Sequence, residues 1–182
     1  MSASPGTGKT EARKHNEAIL ASLYEEYYER IARYAYAHIG NKNDAEDLAG
    51  EVFLKALESL KSYKERGVPM QAWLFKIAHN LVVDHLRKIA KRRTIPLDTT
   101  EIESETNPVT AVEKSIELEL VAKAMKRLTQ EQREVLGLRF FSGLTSKEAG
   151  RILNKSDGAI REMQRAAIEK LRQLLVSDRQ SF

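Results

Sequence analysis

The stretch LTSKEAGRILNKSDGAIREMQRAAIEKLRQLL runs from Leu144 to Leu175. Thr145 and Glu148 make a capping box, in which each side chain satisfies an orphan amide near the start of a helix. A short helix over Ser146 to Leu153 is expected to follow. Asn154, Lys155 and Ser156 then make a three-residue turn, and Ser156 caps a longer helix that begins at Asp157. This spacing is that of a helix-turn-helix. Ala149 supplies the small side chain that two crossing helices need, and Ile152, Ile160, Met163, Ala167 and Leu171 supply the apolar filling.

In such a unit the early part of the second helix enters the major groove of DNA. The exposed early positions include Arg161, Glu162 and Arg165. Arginine grips guanine O6 and N7 with two parallel bonds, and glutamate accepts from cytosine N4. Lys147 and Lys155 suit phosphates, which set register without reading sequence. The competing reading is a helical hairpin with a solvated charged face.

Upstream, helical periodicity continues. Ile19, Leu23, Tyr27, Ile31 and Ala35 form one stripe, which Gly40 and Asn41 interrupt. A second helix is expected from near Asp44, with Asp44, Glu46 and Asp47 suiting the positive end of its dipole. Leu48, Val52, Ala56 and Leu60 make its apolar face. Ser62 to Pro69 reads as a loop because of Gly67 and Pro69. A third helix, about Met70 to Arg92, ends in HLRKIAKRR, where Arg87, Lys88, Lys91, Arg92 and Arg93 place five basic residues in seven positions. Such a patch attracts phosphates and releases counterions; its blander role is to complement the negative end of the helix dipole. Trp73, the single tryptophan, is either a stacking platform for an unpaired base or a core residue.

Composition changes at Thr94. From there to Thr110 the chain carries four acidic residues, no basic ones and two prolines, which reads as a linker. Further capping boxes at Thr110 with Glu113 and Thr129 with Gln132 mark later helix starts. The expected fold is therefore all-α, with two small helical domains on a flexible linker. The expected boundaries are a flexible tail over 1–18, a first domain over 19–93, the acidic linker over 94–110 and a second domain over 111–177.

Composition excludes several function classes. The 182 residues include no cysteine, which removes disulfides, thiolate chemistry and cysteine zinc sites. No apolar run approaches a membrane span and no signal-peptide core is present, so no membrane insertion and a cytoplasmic location are expected. The net charge of +4 leans towards an acidic partner. SPGTGKT, Ser4 to Thr10, imitates a phosphate-binding loop, but Ala3 stands where the first glycine belongs and no leading strand is expected, so nucleotide binding is not expected. His38, His79 and His85 lack metal-ligand spacing. No catalytic residues assemble, so an enzyme, a cofactor and a metal are not expected.

Three blocks together resemble the bacterial sigma factors of the small extracytoplasmic-function (ECF) group. They are DAEDLAGEVFLKAL (Asp44 to Leu57), AWLFKIAHNLVVDHLRK (Ala72 to Lys88) and Leu128 to Arg172, in that order. The resemblance implies a region 2 helical bundle and a region 4 helix-turn-helix that bind core RNA polymerase, through its clamp helices and flap, and direct it to promoter DNA. It implies clamp docking by Asp44, Glu46, Asp47, Leu48, Glu51, Val52 and Phe53. It implies a flipped base held by the loop Ser62, Tyr63, Lys64, Glu65, Arg66, Gly67, Val68 and Pro69. Minus-ten contacts fall on Asn80, Asp84, Arg87 and Lys88, within the basic end that includes Lys91 and Arg92. Minus-thirty-five reading falls on Arg161, Glu162 and Arg165. By family habit an anti-sigma factor is a further partner. The alternative is a helix-turn-helix transcription regulator acting without polymerase docking.

Overall fold

A computed structural model of the chain describes residues 7–63, 68–93, 120–121 and 123–179. The described residues are helical between short turns and include no strand. Helix α1 spans Thr7–Ile39, α2 Lys42–Ser59 and α3 Met70–Arg93. Helix α4, Gln130–Leu136, continues into a π-helical turn at Gly137–Phe141. The helices α5, Ser146–Leu153, and α6, Asp157–Arg179, complete the fold. The capping box at Thr110, the acidic linker and the loop tip at Lys64, Glu65, Arg66 and Gly67 lie outside the described residues.

Local chemistry sets the helix ends. Gly40 takes φ +75° to end α1, and its amide donates to the Tyr36 carbonyl at 2.8 Å. Asn41 then caps α2 by accepting from the Asp44 amide at 3.1 Å, so that helix begins at Lys42 rather than at Asp44. Both capping boxes within the described residues, Thr129 with Gln132 and Thr145 with Glu148, are formed. At the other end, α1 is longer than its apolar stripe. It starts at Thr7, so helix extends into the stretch 1–18 that was expected as a tail. That stretch is rich in Glu, Lys, Arg and Ala, residues that favour helix without needing a buried face.

The stripes meet in one core. Ile31, Ala35, Val52, Ala56, Leu74 and Ala78 are all fully buried between α1, α2 and α3. That same cluster includes Val135, Leu138, Leu144, Ala149 and Ile160 from the later helices. The two helical units therefore pack directly on each other. A second, smaller cluster joins Ala37 to Ala124, Met125, Leu128, Leu136, Ala167 and Leu174.

Polar contacts sharpen this junction. Arg30 lies over the Tyr27 ring, 5.2 Å from its centroid. Its guanidinium donates to the Phe141 carbonyl at 3.1 Å and to the Ser142 carbonyl at 2.6 Å. Gln71 donates to the same Ser142 carbonyl. The π-helical turn leaves these carbonyls outside the usual helical ladder, so they need other donors. Behind it, a Cβ on Gly137 would lie 2.5 Å from His38 Cε1 and 2.7 Å from Tyr34 Cε2; only glycine lets the elements approach this closely.

Tyr34 is the hub of this contact. Its hydroxyl lies 3.2 Å from His79 Nδ1, and its carbonyl accepts from His38 Nδ1 at 2.7 Å. Burial lowers the His38 pKa to about 4 and also lowers that of His79, which the nearby Glu134 carboxylate partly offsets.

Candidate nucleic-acid interface

The helix-turn-helix closes on two backbone details. Asn154 adopts a left-handed conformation, φ 54° and ψ 46°, which turns the chain out of α5. The Lys155 amide then donates to the Gly150 carbonyl at 2.8 Å. A Cβ on Gly150 would sit 2.5 Å from the Lys155 carbonyl oxygen. Glycine inside α5 sacrifices helix propensity, about 1 kcal/mol against alanine, and in return permits the turn. The Ser156 hydroxyl accepts from the Ala159 amide at 3.1 Å and starts α6.

Arg161, Glu162 and Arg165 share the exposed face of early α6. The Arg161 and Arg165 side chains are 67% and 81% exposed, so both can reach a groove. Each is paired along its own helix, Arg161 with Asp157 and Arg165 with Glu162 at 2.9 Å. The hydrogen bond from Arg161 holds the Asp157 carboxyl below the usual carboxylate range. Lys147 is exposed, whereas Lys155 is tied to Glu131 at 3.0 Å.

Helix α3 carries the second basic surface. Asn80, Asp84, Arg87, Lys88, Lys91 and Arg92 are all exposed on it, and Arg87 pairs with Asp84 at 3.2 Å. At its start, Trp73 is half-buried and lies against Tyr63, with ring centroids 5.0 Å apart. The Tyr63 hydroxyl donates to the Val68 carbonyl at 2.8 Å and so ties the two ends of the loop together. Ser62 ends a short 3-10 turn, Leu60–Ser62, and Pro69 is exposed before α3. Tyr63, Trp73 and Lys76 form one wall of a cavity of about 230 Å³. Glu148, Arg151 and Ile152 of α5 form the opposite wall.

The face of α2 divides by burial. Glu46, Asp47 and Glu51 are exposed, and Asp44 is half-buried 3.7 Å from His85 Nε2. Leu48, Val52 and Phe53 are core residues, at 5%, 0% and 5% exposure, so little of them reaches the surface. Tyr24, Leu54 and Leu57 are instead the exposed large apolar groups beside the acidic residues, at 46%, 64% and 41%. Leu54 and Leu57 could have been found in the sequence, because they fall off the i, i+4 stripe of Leu48, Val52 and Ala56.

The family comparisons divide the chain in the same order. Sigma-70 region 2 matches residues 23–93, and Sigma-70 region 4 matches residues 124–173. The ECF RNA polymerase sigma factor ShbA of Streptomyces griseus is 36% identical over 135 residues, covering 71% of this chain and 70% of that protein. The chain belongs to the ECF RNA polymerase sigma factors. Among this sigma factor's other relatives is BldN of Streptomyces coelicolor, 36% identical over 160 residues. That match takes in 86% of the chain but spans 60% of BldN. SigL of Mycobacterium tuberculosis is 25% identical over 155 residues, covering 85% of this chain and 88% of SigL.

Two solved structures share the sigma factor's fold. CnrH in complex with the cytosolic domain of CnrY aligns with a TM-score of 0.68 at 24% identity, over 93% of this chain and 95% of CnrH. The sigma factor RpoE in complex with the anti-sigma factor NepR, from Bartonella quintana, aligns with a TM-score of 0.66 at 22% identity, over 87% of this chain and 97% of RpoE. The sigma factor is all-α, and no helix among its described residues is long and apolar enough to cross a membrane.

Proposed function

We propose that this chain binds core RNA polymerase and directs promoter recognition, melting and transcription initiation. The observation that carries it is the ordered pair of family matches, each of which holds an exposed basic surface. Asn80, Asp84, Arg87 and Lys88, with Lys91 and Arg92, serve the minus-ten element. The Ser62 to Pro69 loop and the Trp73 face receive a base turned out of the non-template strand. Opening a base pair costs a few kcal/mol, and stacking on an aromatic wall offsets part of that. Arg161, Glu162 and Arg165 read the minus-thirty-five element, with Lys147 and Lys155 on its phosphates. Glu46, Asp47 and Glu51, flanked by Leu54 and Leu57, dock on the polymerase clamp; Leu48, Val52 and Phe53 support that face from beneath.

The polymerase supplies the chemistry, so this chain acts without catalysis of its own, in the cytoplasm where transcription occurs. An anti-sigma factor is a further partner, by analogy with the partner named for RpoE. Run-off transcription with core polymerase and a promoter library tests the function. Specific transcripts that depend on the chain are expected. Duplex binding without any association with polymerase would instead favour a plain regulator.

A further inference from the structure

Arg161, on the exposed face of α6, is held along one edge of its guanidinium. Its Nε donates to one carboxylate oxygen of Asp157 at 3.4 Å, and its Nη2 donates to the other oxygen. Asp157 is the first residue of α6 and lies one turn before Arg161. A guanidinium carries five N–H donors, and the two bonds to Asp157 use the pair on its side edge. The end edge, made by Nη1 and the second hydrogen of Nη2, keeps a parallel pair. That pair is the fork that fits guanine O6 and N7. Arg165 differs: it meets Glu162 through Nη2 at 2.9 Å, which does not fix the plane of its guanidinium. The helix beneath is anchored too. Arg139 donates through Nε to Gln164 of α6 at 2.8 Å and through Nη1 to the Leu144 carbonyl, which ties α6 to the turn before α5. The Arg161 hydrogen bond, with the charges of Lys147 and Arg139 nearby, keeps the Asp157 carboxyl ionised.

We propose that Asp157 is a positioning residue for base reading: it grips the side edge of Arg161 and presents the end edge to a guanine in the major groove. The carboxylate also offsets the Arg161 charge. The arginine then pulls less on phosphates, which carry no sequence information, while the donors it needs for a base stay unspent. An exposed ion pair adds little to folding, so the effect of Asp157 belongs to selectivity. The reading of a base rests on the function proposed above; the pairing of Asp157 with Arg161 does not.

Asp157→Asn keeps the shape of the side chain but removes its charge and one of its two acceptors, so the grip on Arg161 is lost. Holoenzyme made from core polymerase and the full chain is assayed by competition binding against promoters that differ by one base in the minus-thirty-five element. At the guanine read by Arg161, the ratio of preferred to mismatched binding is expected to fall about tenfold in Asp157→Asn, within the worth of one bidentate contact. Asp157→Glu, which keeps two carboxylate oxygens one turn from Arg161, should retain more of the ratio than Asn. In an Arg161→Ala background Asp157→Asn is expected to change nothing, because the two residues act as one unit. A ratio unchanged by Asp157→Asn would overturn the proposal. So would an equal loss in the Arg161→Ala background, or equal weakening on every promoter, either of which is the mark of a merely structural role. The pairing is read separately in the free chain by NMR. The Arg161 Nε–H signal, assigned by its absence in Arg161→Ala, should exchange slowly with water in the parent and lose that protection in Asp157→Asn. An unprotected signal in the parent would also sink the proposal. A protected signal in a chain that prefers no minus-thirty-five sequence would keep the pair and remove the base reading, and the proposal with it.

Discussion

At the scale of single residues, the arginines of α6 and the histidines of the junction do different work. Arg161 and Arg165 are exposed and already partnered by acids on their own helix. Replacing Arg161 by Ala is expected to lower discrimination among minus-thirty-five sequences by about 1–3 kcal/mol, the worth of one bidentate base contact. Competition binding against single-base promoter variants measures this, and core polymerase affinity should stay unchanged. His38 is fully buried with Tyr34, His79, Arg133 and Glu134 around it. Its folded pKa, about 4, lies below its ordinary 6.5. Between those values the unfolded chain binds a proton that the folded chain does not, so stability rises with pH in that window. The contribution is complete above pH 6.5 and fades as pH falls towards 4. The loss is on the order of 2–3 kcal/mol, read as a falling urea midpoint, and His38→Gln should flatten the profile.

At the scale of elements, glycines and caps decide where helices can stop and meet. Gly150→Ala puts a methyl group 2.5 Å from the Lys155 carbonyl oxygen, which is backbone and cannot swing aside. The variant is expected to be destabilised by about 1–3 kcal/mol despite alanine's better helix propensity. Equal or higher stability in urea would show that the turn relaxes. The helix starts at Thr129, Thr145 and Ser156 were legible in the sequence because capping is chemistry between residues three apart. The early start of α1 was not, because its first turns follow helix propensity and carry no apolar stripe. The charge on the surface of α2 was legible, whereas its exposed apolar groups went unread. Leu48, Val52 and Phe53 belong to the core stripe, while Leu54 and Leu57 face out.

At the scale of the whole molecule, net charge and a shared core govern behaviour. The chain carries +4, and exposed cations sit at the end of α3 and, paired with acids, on the face of α6. Promoter affinity is expected to fall steeply with salt, and Lys88→Ala should reduce the slope of log K against log[salt] by about 1. A slope unchanged by this substitution would remove Lys88 from the phosphate contacts. The two helical units and their order could be read from periodicity, caps and the acidic stretch. Their junction could not. Arg30 meets Phe141 and Ser142 across 111 and 112 residues, and Tyr34 and His38 close on Gly137. Nothing local in the chain encodes such meetings; they follow from shapes that exist only once the helices have formed. Because one set of buried side chains serves both units, a scanning calorimeter should record a single endotherm for the free chain, and two once the halves are prised apart.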